Sequence, residues 1–349
     1  MKKILVLGYL NKNLGDDLFF KILFERYKNV EWYFVDVDEQ HISPFNNLNV
    51  KTISNKDFLL SFYKYDCLVN IGGSIFIQNK RWVLQFIKRL YYTIPLKLLR
   101  KKVIIIGANF GPFKSKLFKY IYSSYFKLID FVSFRDKKSF LLFKENKKVK
   151  KASDIVFSLK IKRNNRIKNV IGISLMDFSW REGSKENHDN YLKSMINLTD
   201  WLLKRDYNVK LFSFCENEGD HAISRILLDK FKDKNISSID YNGDIDRFLE
   251  EYSMVSGHVC LRFHSVILSI LLRIPFYPII YSGKTLNLLE DLYGDTDFIN
   301  VKEIQKLNPE SVMENLFLKD INLEGIIKDS NNHFKLLDNF LGEKRIGEK

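Results

Sequence analysis

Apolar and polar positions along the chain follow two periods in turn. Short runs rich in β-branched and aromatic residues recur, and each is followed by a longer stretch in which apolar residues return every three or four positions. The first pattern suits a strand and the second a helix packed by one face. Their alternation predicts parallel α/β layers. In the first half the strand-like runs are KILVLGYL, WYFVDVD, CLVNIGG, VIIIGANFG and FVSFRD, with helical periods at 16–27, 56–65, 81–99, 115–129 and 137–144. In the second half the strands are VIGISL, NVKLFSFC, SSIDY, VSGHVCLRF and PFYPIIY, with helices near 189–205, 220–232, 244–252, 265–273 and 284–292. Between the two sets lies KIKRNNRIKN, residues 160–169, which is basic and aperiodic and reads as a linker. The expected layout is therefore α/β with two Rossmann-like domains, 1–159 and 170–325, a linker at 160–169 and a helical tail at 326–349. A cleft is expected between the domains, at the carboxyl ends of the strands, where open α/β sheets bind ligands.

Composition and charge narrow the picture. Hydrophobic residues make up 46% of the 349 residues, which suits a folded protein with a sizeable core. The net charge of +14 points to an anionic partner, whether nucleic acid, an acidic membrane or a phosphorylated substrate. Cys67, Cys215 and Cys260 are scattered and odd in number, which reads as buried thiols in a reducing compartment. The opening apolar run, in MKKILVLGYL, is too short for a secretory signal, and no uninterrupted apolar segment approaches the ~20 residues of a spanning helix. A cytoplasmic protein is expected, soluble or peripheral at the inner face of the cytoplasmic membrane.

Candidate chemistry gathers at strand ends. GYLNKNLGDD, residues 8–17, runs from a strand into a helix opened by Asp16 and Asp17. That places N–H groups of a helix terminus at the strand end, although Asp16 as a simple cap fits the same pattern. NIGGSIF places Gly72, Gly73 and Ser74 at the next strand end, where an anion nest or a tight turn would use them. GANFGPF adds Asn109 and Gly111, and FRDKKSF adds Arg135, either a clamp for carboxylate or phosphate or half of a surface pair with Asp136. In RFHSVILSILLR, Arg262 and His264 would share one face of a continuing strand beside a helix beginning at Ser265, a natural place for an anion and for proton transfer near neutral pH. A buried guanidinium needs an anionic partner, and no acid close in sequence offers one.

His258, Cys260 and His264 fit no common zinc spacing, so no metal is expected. Without GxGxxG, Walker, GxSxG or HExxH patterns, no nicotinamide or other cofactor is expected. No RRM, KH or helix-turn-helix pattern supports a nucleic-acid partner. No acidic residue occurs between Asp66 and Asp130, an interval holding twelve Lys and Arg. Inside it, Trp82, Val83, Phe86, Ile87, Leu90 and Tyr91 would line one helical face, so residues 81–94 suit either packing on the sheet or peripheral membrane contact.

Taken in order, GYLNKNLGDD, NIGGSIF, GANFGP, VSFRDKKSF, SDIVF, RFHSVILSILLRIPFYPIIY and YSGK resemble the motifs of the polysaccharide pyruvyl transferase family, from Gly8 to about Leu292. The resemblance implies a GT-B-like arrangement and transfer of the pyruvyl skeleton of phosphoenolpyruvate to a sugar of a glycan precursor as a ketal, with phosphoenolpyruvate as co-substrate. It implies an acceptor side in the N-terminal domain and a donor side in the C-terminal one. It places Arg262 and His264 in the phosphoenolpyruvate site, with Arg135 as a third member, and Tyr281 and Lys284 of the YSGK motif among the substrate-binding residues. His264 would be a general acid or a phosphate ligand. The catalytic base is open, with Asp16, Asp17 and Asp154 as candidates by position. The acceptor would be a glycan or a lipid-linked oligosaccharide. A glycosyltransferase of the same fold using a nucleotide sugar is the alternative reading.

Overall fold

The computed structural model describes residues 1–179, 185–294 and 298–342. It divides into two compact units. The first contains Met1–Asn11, Asp16–Leu159 and the segment from Glu324 onward; the second contains Lys12–Gly15 and Lys160–Leu323.

Seven strands build the first unit: β1 (Lys2–Leu7), β2 (Val30–Val35), β3 (Val50–Ile53), β4 (Cys67–Ile71), β5 (Lys102–Ala108), β6 (Phe131–Phe134) and β7 (Val149–Lys151). They form one parallel sheet in the order β3-β2-β1-β4-β5-β6-β7. β4 is buried along its whole length, as parallel strands covered on both faces are. Leu5 pairs with Tyr33 on one side and Leu68 on the other, so β1 sits where the chain reverses its direction of travel across the sheet. The loops after β1 and β4 therefore diverge and leave a crevice at the strand ends. The core on one face is a mesh of rings, with Phe110 and Phe143 at 4.8 Å, Phe126 and Phe143 at 5.0 Å and Phe76 and Tyr122 at 5.1 Å, all steeply inclined.

The tail expected from residue 326 is part of this unit, and residues 343–349 of that expectation lie outside the described residues. Arg26 donates twice to the carboxylate of Asp338, at 2.9 and 2.8 Å, and the Tyr27 hydroxyl donates to it at 2.6 Å. The Ser330 hydroxyl donates to the carbonyl of Asp154 at 2.8 Å, and the His333 ring lies 2.7 Å from Ser133 Oγ and 2.8 Å from the Ser153 carbonyl.

The second unit holds β8 (Val170–Ser174), β9 (Asn208–Ser213), β10 (Ile236–Asp240), β11 (Gly257–Cys260) and β12 (Phe276–Pro278). They are parallel in the order β10-β9-β8-β11-β12, so the reversal falls between β8 and β11. The segment read as a linker is stitched to this unit: Asn164 Nδ2 donates to Ser253 Oγ at 2.8 Å and the Ile167 N–H to the Met254 carbonyl at 2.7 Å. Among the described residues no helix is long and apolar enough to cross a membrane.

Candidate functional site

In the first unit the predicted residues of three strand ends meet. Arg135 follows β6 and is almost fully buried; its guanidinium donates to Asp154 at 2.8 Å and to Asn109 Oδ1 at 3.0 Å, and lies 5.9 Å from the Phe19 ring centre. Asn109 follows β5, and its side-chain oxygen also accepts from the Ser74 hydroxyl at 3.3 Å. The backbone of Gly73 passes directly over the guanidinium: a Cβ there would lie 2.7 Å from Nη1 and nearer still to Nη2. Gly72 has φ +146, which a side chain would disfavour. The structure thus brings Gly72, Gly73, Ser74, Asn109 and Arg135 together.

The partner of Arg135 corrects the sequence reading. Its acid is Asp154, not Asp136, which instead caps the helix Lys137–Leu142 by accepting from the Ser139 N–H at 2.8 Å and hydroxyl at 2.6 Å. The other oxygen of Asp154 accepts from the Val156 N–H at 2.9 Å, so its carboxylate is committed on both sides.

Asp16 and Asp17 stand in the first turn of the helix Leu14–Arg26, Asp17 fully buried. Asp16 does not open that helix. Asn13 does, its side-chain oxygen accepting from the Gly15 N–H at 3.0 Å.

In the second unit Arg262, His264, Tyr281 and Lys284 follow the carboxyl ends of β11 and β12. The expected continuous strand is absent: β11 ends at Cys260 and the helix begins at Phe263, not Ser265. Arg262 and His264 therefore share a turn, not a strand face. Ser265, the helix start expected from the sequence, turns its hydroxyl to Ser174 Oγ at 2.9 Å and to the Arg262 carbonyl at 2.5 Å. The Ser174 hydroxyl accepts from the N–H groups of Leu261 at 2.7 Å and Arg262 at 3.2 Å, which clamps the turn.

Arg262 is also better satisfied than its sequence neighbourhood implies. Nε donates to Asp220 at 3.0 Å, Nη2 to the same carboxylate and Nη1 to Glu218. Burial alone would lower its pKa, but Asp220 and Glu218 outweigh it and hold the guanidinium charged. Asp220 is itself fixed by the N–H groups of Phe214 and Cys215, at 2.9 and 3.1 Å. Both acids lie in CENEGD after β9, and only the sheet order, with β9 beside β8, makes them neighbours of Arg262.

His264 is half-buried at the start of its helix, with its ring 5.1 Å from Phe263 and edge-on to it. It rests on Gly15, where a Cβ would fall on the imidazole, 2.8 Å from Cγ and nearer to Nδ1. Gly15 belongs to this unit because Leu14 N–H donates to the Phe214 carbonyl at 3.0 Å and Asn13 Nδ2 to Glu218 at 3.3 Å. Tyr281 packs on Phe178 at 5.9 Å, and Lys284 Nζ lies 6.0 Å from the Phe263 ring centre. His258 and Cys260 turn to Tyr252: the imidazole stacks on its ring at 3.9 Å and the thiol lies 3.9 Å from its hydroxyl. All three cysteines are buried, and burial pushes the Cys260 thiol up to about 11 and the Cys215 thiol to about 12.

A family model described as polysaccharide pyruvyl transferase matches residues 13–283. Comparison with curated proteins finds no match. Among solved structures, UDP-GlcNAc 2-epimerase from Methanocaldococcus jannaschii is similar over 97% of this chain and 100% of its own, at 13% identity and a TM-score of 0.62. The S. aureus MnaA–UDP co-structure is similar over 100% and 99%, at 12% identity and a TM-score of 0.60. Acinetobacter baumannii MurG is similar over 99% and 100%, at 12% identity and a TM-score of 0.51. These likenesses show the fold class, GT-B with two Rossmann-like units, and at such identities they show the fold alone.

Proposed function

Since the chain belongs to the polysaccharide pyruvyl transferase family, whose members are transferases, we propose that it moves the pyruvyl skeleton of phosphoenolpyruvate to a sugar of a cell-surface glycan precursor. The family match over residues 13–283 carries this reading. Two sugar hydroxyl oxygens bond to the enol carbon of phosphoenolpyruvate, the methylene carbon becomes a methyl by taking one proton, and phosphate leaves with the other. No oxidant, metal or cofactor is needed to balance the step.

His264 is the group proposed to deliver the methylene proton or to hold the departing phosphate, since its ring is fixed on Gly15 at the start of a helix. Lys284 and the N-terminal end of that helix supply positive potential for the phosphate. Arg262 enters as a guanidinium fixed by Asp220, with phosphate taking the place of Glu218 at Nη1. Arg135, with Asn109, Ser74 and the Gly72–Gly73 turn, serves a second polar contact, and Asp16 and Asp17 remain proposed acceptor-side groups. The acceptor proposed is a lipid-carried oligosaccharide at the inner face of the cytoplasmic membrane, with residues 81–94 as the membrane contact.

The test is acceptor-dependent phosphate release from phosphoenolpyruvate, with lipid-linked glycan precursors as acceptors and the ketal product weighed by mass spectrometry. His264→Ala is expected to reduce turnover by about 100-fold or more at unchanged thermal stability. A second reading, transfer from a nucleotide sugar, is favoured by the UDP bound in the S. aureus MnaA co-structure. Turnover of UDP-sugars with no response to phosphoenolpyruvate would establish it instead.

A further inference from the structure

The helix Asn55–Ser61 with its continuation to Lys64, the helix Trp82–Leu98 and the helix Lys116–Leu128 lie side by side on one face of the seven-stranded sheet. They belong to the crossovers from β3 to β4, β4 to β5 and β5 to β6, which all travel the same way across the sheet, and right-handed crossovers then share a face. Their inner sides interlock: Phe58 with Tyr92 at 5.2 Å, Trp82 with Phe118 at 5.2 Å and Phe86 with Tyr122 at 5.3 Å.

Their outer sides are also apolar. Leu60 is 67% exposed, Leu84 65%, Ile87 55%, Leu98 79%, Leu117 58% and Tyr120 71%. On the helix Trp82–Leu98, the exposed Val83, Leu84, Ile87, Ile94 and Leu98 fall within an arc of about 100° at 3.6 residues per turn. The sequence pattern groups Val83 and Ile87 with Trp82 and Phe86, but the structure turns Val83 and Ile87 outward and packs Trp82 and Phe86 inward. One helix thus carries two apolar sides, and only one is taken up by the core. Most exposed large apolar residues among the described residues belong to this layer. A concentration of this kind on one face marks an interaction surface.

The charge on the same face selects the partner. Exposed Lys64, Arg81, Lys88, Arg100, Lys116 and Lys127 rim the apolar side chains. The interval between Asp66 and Asp130 holds no acid, and Asp130 itself is paired with Lys97 at 2.7 Å and Lys102 at 3.7 Å. Asp57 is occupied in the capping box of its own helix. A second copy of the chain would set this basic surface against another basic surface, which is repulsive. An anionic bilayer meets both demands, taking the leucines and the tyrosine into the headgroup boundary while the lysines and arginines reach lipid phosphates.

We infer that these three helices form one docking platform for an anionic lipid surface. The inference widens the membrane contact from residues 81–94 to the whole layer, and it rests on the reading of a lipid-carried acceptor. Docking by this face would hold the first unit at the surface where such an acceptor is presented.

Full-length protein is sedimented with phosphatidylcholine vesicles and with vesicles of phosphatidylcholine and phosphatidylglycerol at physiological salt. Binding is expected only to the anionic vesicles. The double variant Leu84→Ser/Ile87→Ser is expected to lower the partition coefficient about tenfold, and Lys88→Glu to lower it and flatten its salt dependence. Leu117→Ser, on a different helix, is expected to weaken binding as well, which a contact limited to 81–94 would not show. Phosphoenolpyruvate binding by the same variants is expected to stay at the wild-type level, so loss of docking and loss of the proposed chemistry are read separately. Equal binding to neutral vesicles, no binding to either, or a dimer that the double variant dissociates would overturn the inference.

Discussion

Arg262 is held by two acids of different standing. The side chain of Asp220 is fully buried, whereas that of Glu218 is 29% exposed, so Glu218 is the partner that an incoming anion can displace. If phosphate takes that place, Glu218→Gln removes a competing charge and is expected to tighten phosphoenolpyruvate binding by about three- to tenfold, read by calorimetry. Unchanged or weaker binding would leave Arg262 as a group that only positions the turn before His264. Two buried histidines make a second residue-scale prediction. Burial holds His258 down to about 3 and His333 to about 4, against an ordinary value of 6.5. The unfolded chain therefore takes up protons that the folded chain refuses. Stability present above about pH 6.5 drains away as pH falls toward 4 and then 3, by about 3 to 5 kcal/mol for each residue. His258 stacks on Tyr252 and its fully buried ring lies directly against the backbone of Gly172. His258→Phe is thus expected to fold normally at pH 7 and to lose less stability than wild type in urea unfolding at pH 4.5. An equal loss would show that His333 and the carboxylates carry the acid response.

At the scale of elements, Gly73 is the position that links backbone to site. Gly73→Ala would drive a methyl into the guanidinium of Arg135, which cannot swing away without leaving Asp154 and Asn109. A loss of about 2 to 4 kcal/mol in unfolding free energy is expected, from breaking a buried ion pair; an unperturbed transition would contradict the geometry. The central strands were legible because buried parallel strands leave long apolar runs, as in VIIIGA at β5. β3 and β7 were not, because VKTI and VKK are short edge strands with lysines facing water. The helix start at Phe263 was misplaced by two residues, since Ser265 has the residue type of a cap while its hydroxyl is engaged by Ser174. Asp220 and Glu218 as partners of Arg262 were illegible for a different reason. They follow the end of β9, and adjacency across a sheet is written in topology, not in local pattern.

Over the whole chain, a segment about 300 residues downstream completes the first unit. Asp338 joins Arg26 and Tyr27, and Asp338→Ala is expected to cost about 3 to 5 kcal/mol because it strands a buried guanidinium. A denaturation midpoint within error of wild type would show that the segment is dispensable. The motif order from Gly8 to about Leu292 made the family legible in the sequence, and the family model matches residues 13–283. The most direct measurement is a calorimetric titration of the wild-type protein with phosphoenolpyruvate, with His264→Ala and UDP-GlcNAc alongside. Arg262→Ala is a poor probe here, because it would leave Asp220 buried without its counter-charge. The account expects wild-type binding of phosphoenolpyruvate, at least a tenfold weakening in a folded His264→Ala, and no competition from UDP-GlcNAc. Binding of UDP-GlcNAc with no heat from phosphoenolpyruvate would contradict it.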